Sequence, residues 1–259
     1  MPVSSETTRE TRKIDLGTHA VRVHESGSGP RTLFCLHDFL EEPDGWSPLA
    51  ERLAGGTRVV ALQQRGHGFS TAPPGSYTLG DLAADVLKVL DALAVERATL
   101  VGQGFGATVA LAAALEAPGR VAGLCLIAPL VALDDKAARD WAQVVRAGEV
   151  NKLQGLARSV WGPMSRRNAD GDGIALTEIA RVVHRLHTEP LAPRLGEIRC
   201  PTLIVAAYGD ESGVARARDV AGRIEGARLE LLQQRSPAAG GVDAEALAKL
   251  LDAQLAGGR

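Results

Sequence analysis

Thr99-Leu-Val-Gly-Gln-Gly-Phe-Gly-Ala-Thr108 carries three glycines within five residues, Gly102-Gln103-Gly104-Phe105-Gly106. The apolar run Ala98 to Val101 enters this stretch as a short buried strand, and Ala107 to Leu115 leaves it with helix-forming composition. The glycines therefore sit at a tight strand-to-helix turn. In the pattern G-x-S-x-G, such a turn lets strand and helix approach closely and presents the middle side chain as a nucleophile. Here the middle residue is Gly104, which has no side chain to present.

Outward from this turn, short apolar runs alternate with helical periodicity. A hairpin is expected over Lys13–Leu16 and His19–Glu25, followed by a central strand at Thr32–Leu36, a short helix at Trp46–Ala54 and a strand at Val59–Leu62. Leu79, Leu82, Val86, Leu90 and Leu93 keep helical spacing behind a Thr78 cap, with Asp81 completing a capping-box pair. After the central turn and its helix, Val121–Ala128 is another strand. From Leu130 to Ile198 the pattern turns helical, with segments at Asp134–Ala147, Asn151–Val160 and Thr177–His187. Alternation then resumes with a strand at Thr202–Ala207, a helix at Gly213–Ile224, a strand at Arg228–Leu232 and a last helix at Asp243–Leu255. This order predicts a mostly parallel sheet with helices on both faces.

The 259 residues are 45% hydrophobic with a formal charge of −2, and no basic cluster marks a nucleic-acid surface. The three cysteines lie in or beside apolar runs without metal spacing and read as core residues of a reducing compartment. The polar start Met1–Arg12 has no signal-peptide core, and no apolar run is long enough to span a membrane. The arginine-rich composition fits a bacterial coding bias, and the expectation is a cytoplasmic protein with residues 1–12 unstructured and a homodimer left open.

Four motifs in order carry a resemblance: His37-Asp38-Phe39, Arg65-Gly66-His67-Gly68-Phe69-Ser70, Gly102 to Gly106, and Cys200-Pro-Thr-Leu-Ile-Val205. Together they resemble the α/β-hydrolase superfamily, in its small lidded branch, over Lys13 to Leu255. The resemblance implies an α/β fold with an eight-stranded, mostly parallel sheet, a core over 13–129 and 199–256, and a helical lid over 130–198. It also implies a nucleophile, an acid and a histidine, in that order along the chain. The nucleophile position is Gly104, Asp210 and Glu211 stand near the acid position, and the segment Gln233–Val242 has no histidine.

By the same resemblance, the backbone amides of Phe39 and Phe105 form an oxyanion site, and Asp38 beside them would oppose a developing oxyanion. The expected function is therefore non-covalent and non-hydrolytic: a cyclisation, isomerisation or elimination on a small apolar molecule, without cofactor or metal. Asp38 and His37 are the candidate acid/base groups, although His37 also reads as a loop brace and Asp38 as a turn cap. Phe39, Gln103, Gly104, Phe105, Trp141, Trp161, His187 and Tyr208 are the candidate substrate-binding residues. The alternatives are a non-catalytic small-molecule binder or scaffold, and a hydrolase with a displaced catalytic set.

Overall fold

In the computed structural model, residues 9–53, 56–162, 169–233 and 242–257 are described. Eight strands, β1 (Glu10–Asp15), β2 (Ala20–Ser26), β3 (Arg31–Leu36), β4 (Thr57–Gln63), β5 (Ala98–Gln103), β6 (Val121–Ile127), β7 (Thr202–Ala207) and β8 (Arg228–Leu232), form one sheet in the order β1-β2-β4-β3-β5-β6-β7-β8. β1 and β2 pair antiparallel, as does β2 with β4, and every pairing from β4 to β8 is parallel. The expected unstructured start is corrected at its end, since Glu10, Thr11 and Arg12 pair with Glu25, His24 and Val23. Residues 1–8 lie outside the described residues.

Both sheet faces are covered, which explains why the central strands read as continuous apolar runs. One face packs on α2 (Leu79–Ala92) and α3 (Phe105–Glu116), the other on α1 (Ser47–Leu53) and α7 (Ala244–Gly257). The Thr78/Asp81 capping box closes α2 as its sequence predicts. α6 (Glu211–Arg223) lies beside β7 and β8.

The helical block is α4 (Asp135–Trp161) and α5 (Gly173–Arg185), packed against each other. The two expected segments in α4 form one element broken by non-helical backbone at Lys152. α5 begins four residues before the expected Thr177, because Asp172 caps the amides of Ile174 and Ala175 while the Thr177 hydroxyl bonds the Gly173 carbonyl. Between the two helices, the Gly68 N–H donates to the Asp170 carbonyl and the Asp172 N–H to the Gly66 carbonyl, each at 2.8 Å. A β-bridge between His67 and Gly171 thus fastens the block to the loop after β4.

Candidate active site

β5 ends at Gln103 and α3 starts at Phe105, so Gly104 alone makes the turn, with φ 52° and ψ −116°. That positive φ is costly for any residue with a side chain. Close approach fixes Gly106 as well, since a Cβ there would lie 2.3 Å from the Leu36 carbonyl oxygen at the end of β3. The approach of these two ends brings the amides of Phe39 and Phe105 to a common point.

Asp38 occupies that point. Its Oδ1 accepts the Phe39 N–H at 2.8 Å and the Phe105 N–H at 2.7 Å. The carboxylate lies over the turn so closely that a Cβ on Gly104 would be 2.3 Å from its Cγ and both oxygens. The missing side chain at Gly104 is therefore the space Asp38 fills. Burial raises the Asp38 pKa, and the two amide bonds oppose that shift by favouring the charged form. Asp38, Gln103 and Gly104 each keep partial access to solvent.

His37 and His67 brace this arrangement from beneath. His37 Nδ1 donates to the Asp38 carbonyl at 2.7 Å, while Nε2 accepts the Gln64 N–H at 3.1 Å. The Gln64 side chain adds a 2.7 Å bond to the His37 carbonyl. His67 Nε2 accepts the Leu40 N–H at 3.1 Å, and its Nδ1 donates to the Arg65 carbonyl at 3.2 Å. Both rings are buried, with centroids 4.7 Å apart. Burial pushes His37 down to about 4, against its bond to the Asp38 carbonyl, and pushes His67 well below its usual value, with His37 adding to the effect.

These rings must be neutral in the folded state, so the fold binds fewer protons than the unfolded chain below pH 6.5. Their stabilisation is complete above about pH 6.5 and is lost as pH falls towards 4, by about 2 to 3 kcal/mol for His37 at pH 4.5. The raised Asp38 pKa works in the opposite direction. Denaturant midpoints should fall from pH 7.5 to pH 4.5, and His37→Gln should flatten that dependence; an equally steep loss in the variant would exclude His37 as its source.

The other candidate residues divide. The Trp141 ring lies 5.5 Å from that of Phe39, which in turn meets His67 at 6.1 Å, so α4 reaches the site through an aromatic contact. Trp161 packs on the main core. His187 donates from Nδ1 to the Leu133 carbonyl at 3.1 Å and ties the end of α5 to the start of α4. Tyr208 is 52% exposed beyond β7. Asp210 caps α6 by accepting the Gly213 N–H at 2.9 Å, and Glu211 is the first residue of that helix. Residues 234–241 of the histidine-free segment Gln233–Val242 lie outside the described residues.

Sequence reading passed over Gln64 and the positive φ of 61° at Leu40, which together shape the Asp38 loop. It also missed the buried Arg65–Asp85 pair, whose signal is an aspartate on the apolar face of an otherwise amphipathic helix. Among the described residues no cluster of His, Cys, Asp or Glu could hold a metal ion, and no helix is long and apolar enough to cross a membrane.

Residues 31–160 match the family model described as alpha/beta hydrolase fold, and the chain belongs to that family. Its sequence is 35% identical over 117 residues to a 2-(acetamidomethylene)succinate hydrolase of Mesorhizobium japonicum, covering 45% of this chain and 42% of that protein. It is 37% identical over 123 residues to an epoxide hydrolase of Caballeronia sordidicola, covering 46% of this chain and 37% of the other. The chain thus spans less than half the length of these curated relatives. The enol-lactonase of Burkholderia xenovorans LB400 superposes with a TM-score of 0.82 at 20% identity, covering 95% of this chain and 100% of that one, which is a likeness of fold. The expected non-covalent cyclase, isomerase or lyase chemistry is corrected by these comparisons, because the relatives are named as hydrolases. An empty position 104 does not exclude hydrolysis, because the Asp38 carboxyl group fills the vacated space.

Proposed function

We propose that the chain is a hydrolase in which the Asp38 carboxylate works from the neighbouring loop in place of an elbow side chain. The observation that carries this reading is the pair of amide bonds to Asp38 Oδ1, at 2.8 and 2.7 Å, over a turn that has no side chain of its own. They fix one carboxylate oxygen and leave Oδ2 to take a proton. Part of the same reading is that position 104 supplies no nucleophile and that no histidine serves as triad base. His37 and His67 support this assignment, since both ring nitrogens of each are engaged within the loops.

In this mechanism Oδ2 removes a proton from a water molecule, and the water oxygen forms a bond to an electrophilic carbon of the substrate. The bond from that carbon to the leaving oxygen breaks, and the proton held by Asp38 returns to that oxygen. Because the two amides already hold Oδ1, they are not available to a carbonyl oxyanion. Strained or activated electrophiles are therefore favoured over unactivated esters, and the similarity to an epoxide hydrolase makes epoxides the first class to test. α4 and α5 serve as a lid, Phe39 and Trp141 supply an apolar wall, and Gln103, at the end of β5, keeps partial access to solvent. Trp161, His187 and Tyr208 are assigned to lid and rim support.

The test is turnover of an aryl epoxide and an activated aryl ester by the full chain in H₂¹⁸O. Heavy oxygen is expected in the product from the first turnover, with no mass gain on the peptide containing Asp38. Label entering Asp38 would make it a nucleophile instead of a base, and absence of turnover of both the epoxide and the ester would overturn the assignment.

A further inference from the structure

A second site stands at the opposite end of the sheet. A cavity of about 220 Å³ opens at the N-terminal ends of β3, β5 and β6, lined by Arg31, Thr32, Arg97, Thr99 and Gly123, among others. A neighbouring cavity of about 190 Å³ shares Arg97 and Pro201 with it and adds Arg199 and Cys200. The two form a groove with Arg97 at its centre, about as far from Asp38 as the strands are long.

The strands themselves create the opening. The β5–β6 register shifts between Ala98 and Thr99, and Ala122 is left exposed at the edge. Such irregularities interrupt pairing and re-aim neighbouring side chains. Gln254 of α7 ties the floor together by donating through Nε2 to the carbonyls of Leu124 at 3.1 Å and Pro201 at 3.0 Å, while its Oε1 is buried without a partner.

Three guanidiniums line the groove, with Asp252 beside Arg31 and Glu197 acting on Arg199 as partial counter-charges. Arg97 gives one bond at 3.2 Å to the Val121 carbonyl, and Arg199 bonds the carbonyls of Gly196 and Ile198. Among the described residues neither guanidinium lies within ion-pair distance of a carboxylate, and Arg31 has a long contact of 3.6 Å to Asp252. Most of their donors therefore remain for an anion, with small apolar walls between them. Guanidinium forks match carboxylate and phosphate oxygens in a planar, two-bond geometry.

We infer that this groove binds a small organic dianion, a phosphate monoester or a dicarboxylate, with one anionic group on Arg97 and the other reaching Arg31 or Arg199. The inference does not depend on the chemistry assigned to Asp38. Cys200 supplies a built-in reporter, being partly accessible where Cys35 and Cys125 are buried.

The test titrates glycerol 3-phosphate and succinate calorimetrically into the full chain at constant ionic strength, and follows N-ethylmaleimide labelling of Cys200 in parallel. One of the two is expected to bind saturably with Kd below about 1 mM and to slow labelling of Cys200. Arg97→Gln should weaken binding at least about tenfold, the effect of losing one charge-assisted pair, and Arg199→Gln or Arg31→Gln should weaken it less. Asp38→Asn should leave the affinity unchanged, which separates this site from the first. No saturable binding of either dianion, equal affinity in a folded Arg97→Gln variant, or loss of binding in Asp38→Asn would overturn the inference. If Arg97→Gln does not fold, unchanged affinity in an Arg31→Gln/Arg199→Gln double variant overturns it equally.

Discussion

Asp38→Asn should lower hydrolytic turnover by about 10² to 10⁴, the usual contribution of one general base, while the protein remains folded. Asparagine keeps the size of the side chain, and its Oδ1 can still accept the Phe39 and Phe105 amides that hold Asp38. What it loses is an oxygen able to take a proton from water. Stability should be unchanged or slightly raised, because burial disfavours the charged carboxylate that asparagine removes. Loss of activity without loss of stability is the mark of a group kept for function at a cost in stability. The measurement is kcat and thermal midpoint on the same preparation. Full activity in Asp38→Asn would remove the carboxylate from the reaction.

Asp85→Ala should be the most destabilising single change among the buried charges, at about 3 to 5 kcal/mol. Arg65 donates to Asp85 through Nε at 2.6 Å and through a terminal nitrogen at 2.7 Å, and His19 Nε2 lies 3.2 Å from the same carboxylate. All three side chains are nearly inaccessible to solvent. Alanine would leave the Arg65 guanidinium buried over the Tyr77 ring without its counter-charge. Because the Arg65 carbonyl also accepts from His67, the damage should extend to the Asp38 loop. Urea denaturation should show a lower midpoint with an unchanged slope, and an Arg65→Met/Asp85→Leu pair should recover at least half of the loss. A cost under about 1 kcal/mol would place this pair with surface ion pairs.

The fold was legible wherever its determinants are local. Glycines at a strand-to-helix turn, alternating apolar runs and the Thr78/Asp81 box depend on neighbours a few residues apart, and the structure has them as expected. Asp38, Phe39, Gly104 and Phe105 do meet at one turn, but how they are arranged there was not legible. Asp38 was expected to oppose an oxyanion, whereas its carboxylate takes the two amides itself, through a contact between residues 67 positions apart. No periodicity reports that distance. Nor does an aromatic residue type reveal its direction: Trp141 turns to Phe39 while Tyr208 turns outward.

The bridge between Gly171 and His67 has a consequence for how a guest molecule enters. The backbone bonds that fasten residues 170–172 run to Gly66 and Gly68, the neighbours of the ring that holds Leu40 in place. Swinging that strap away would disturb the support of the Asp38 loop, so residues 170–172 cannot move aside while that loop keeps its arrangement. Movement of the strap and disassembly of the loop are then a single event. In the hydrolase proposed above, a guest taking this route would be sieved by size at the strap, because its passage requires the loop to reorganise.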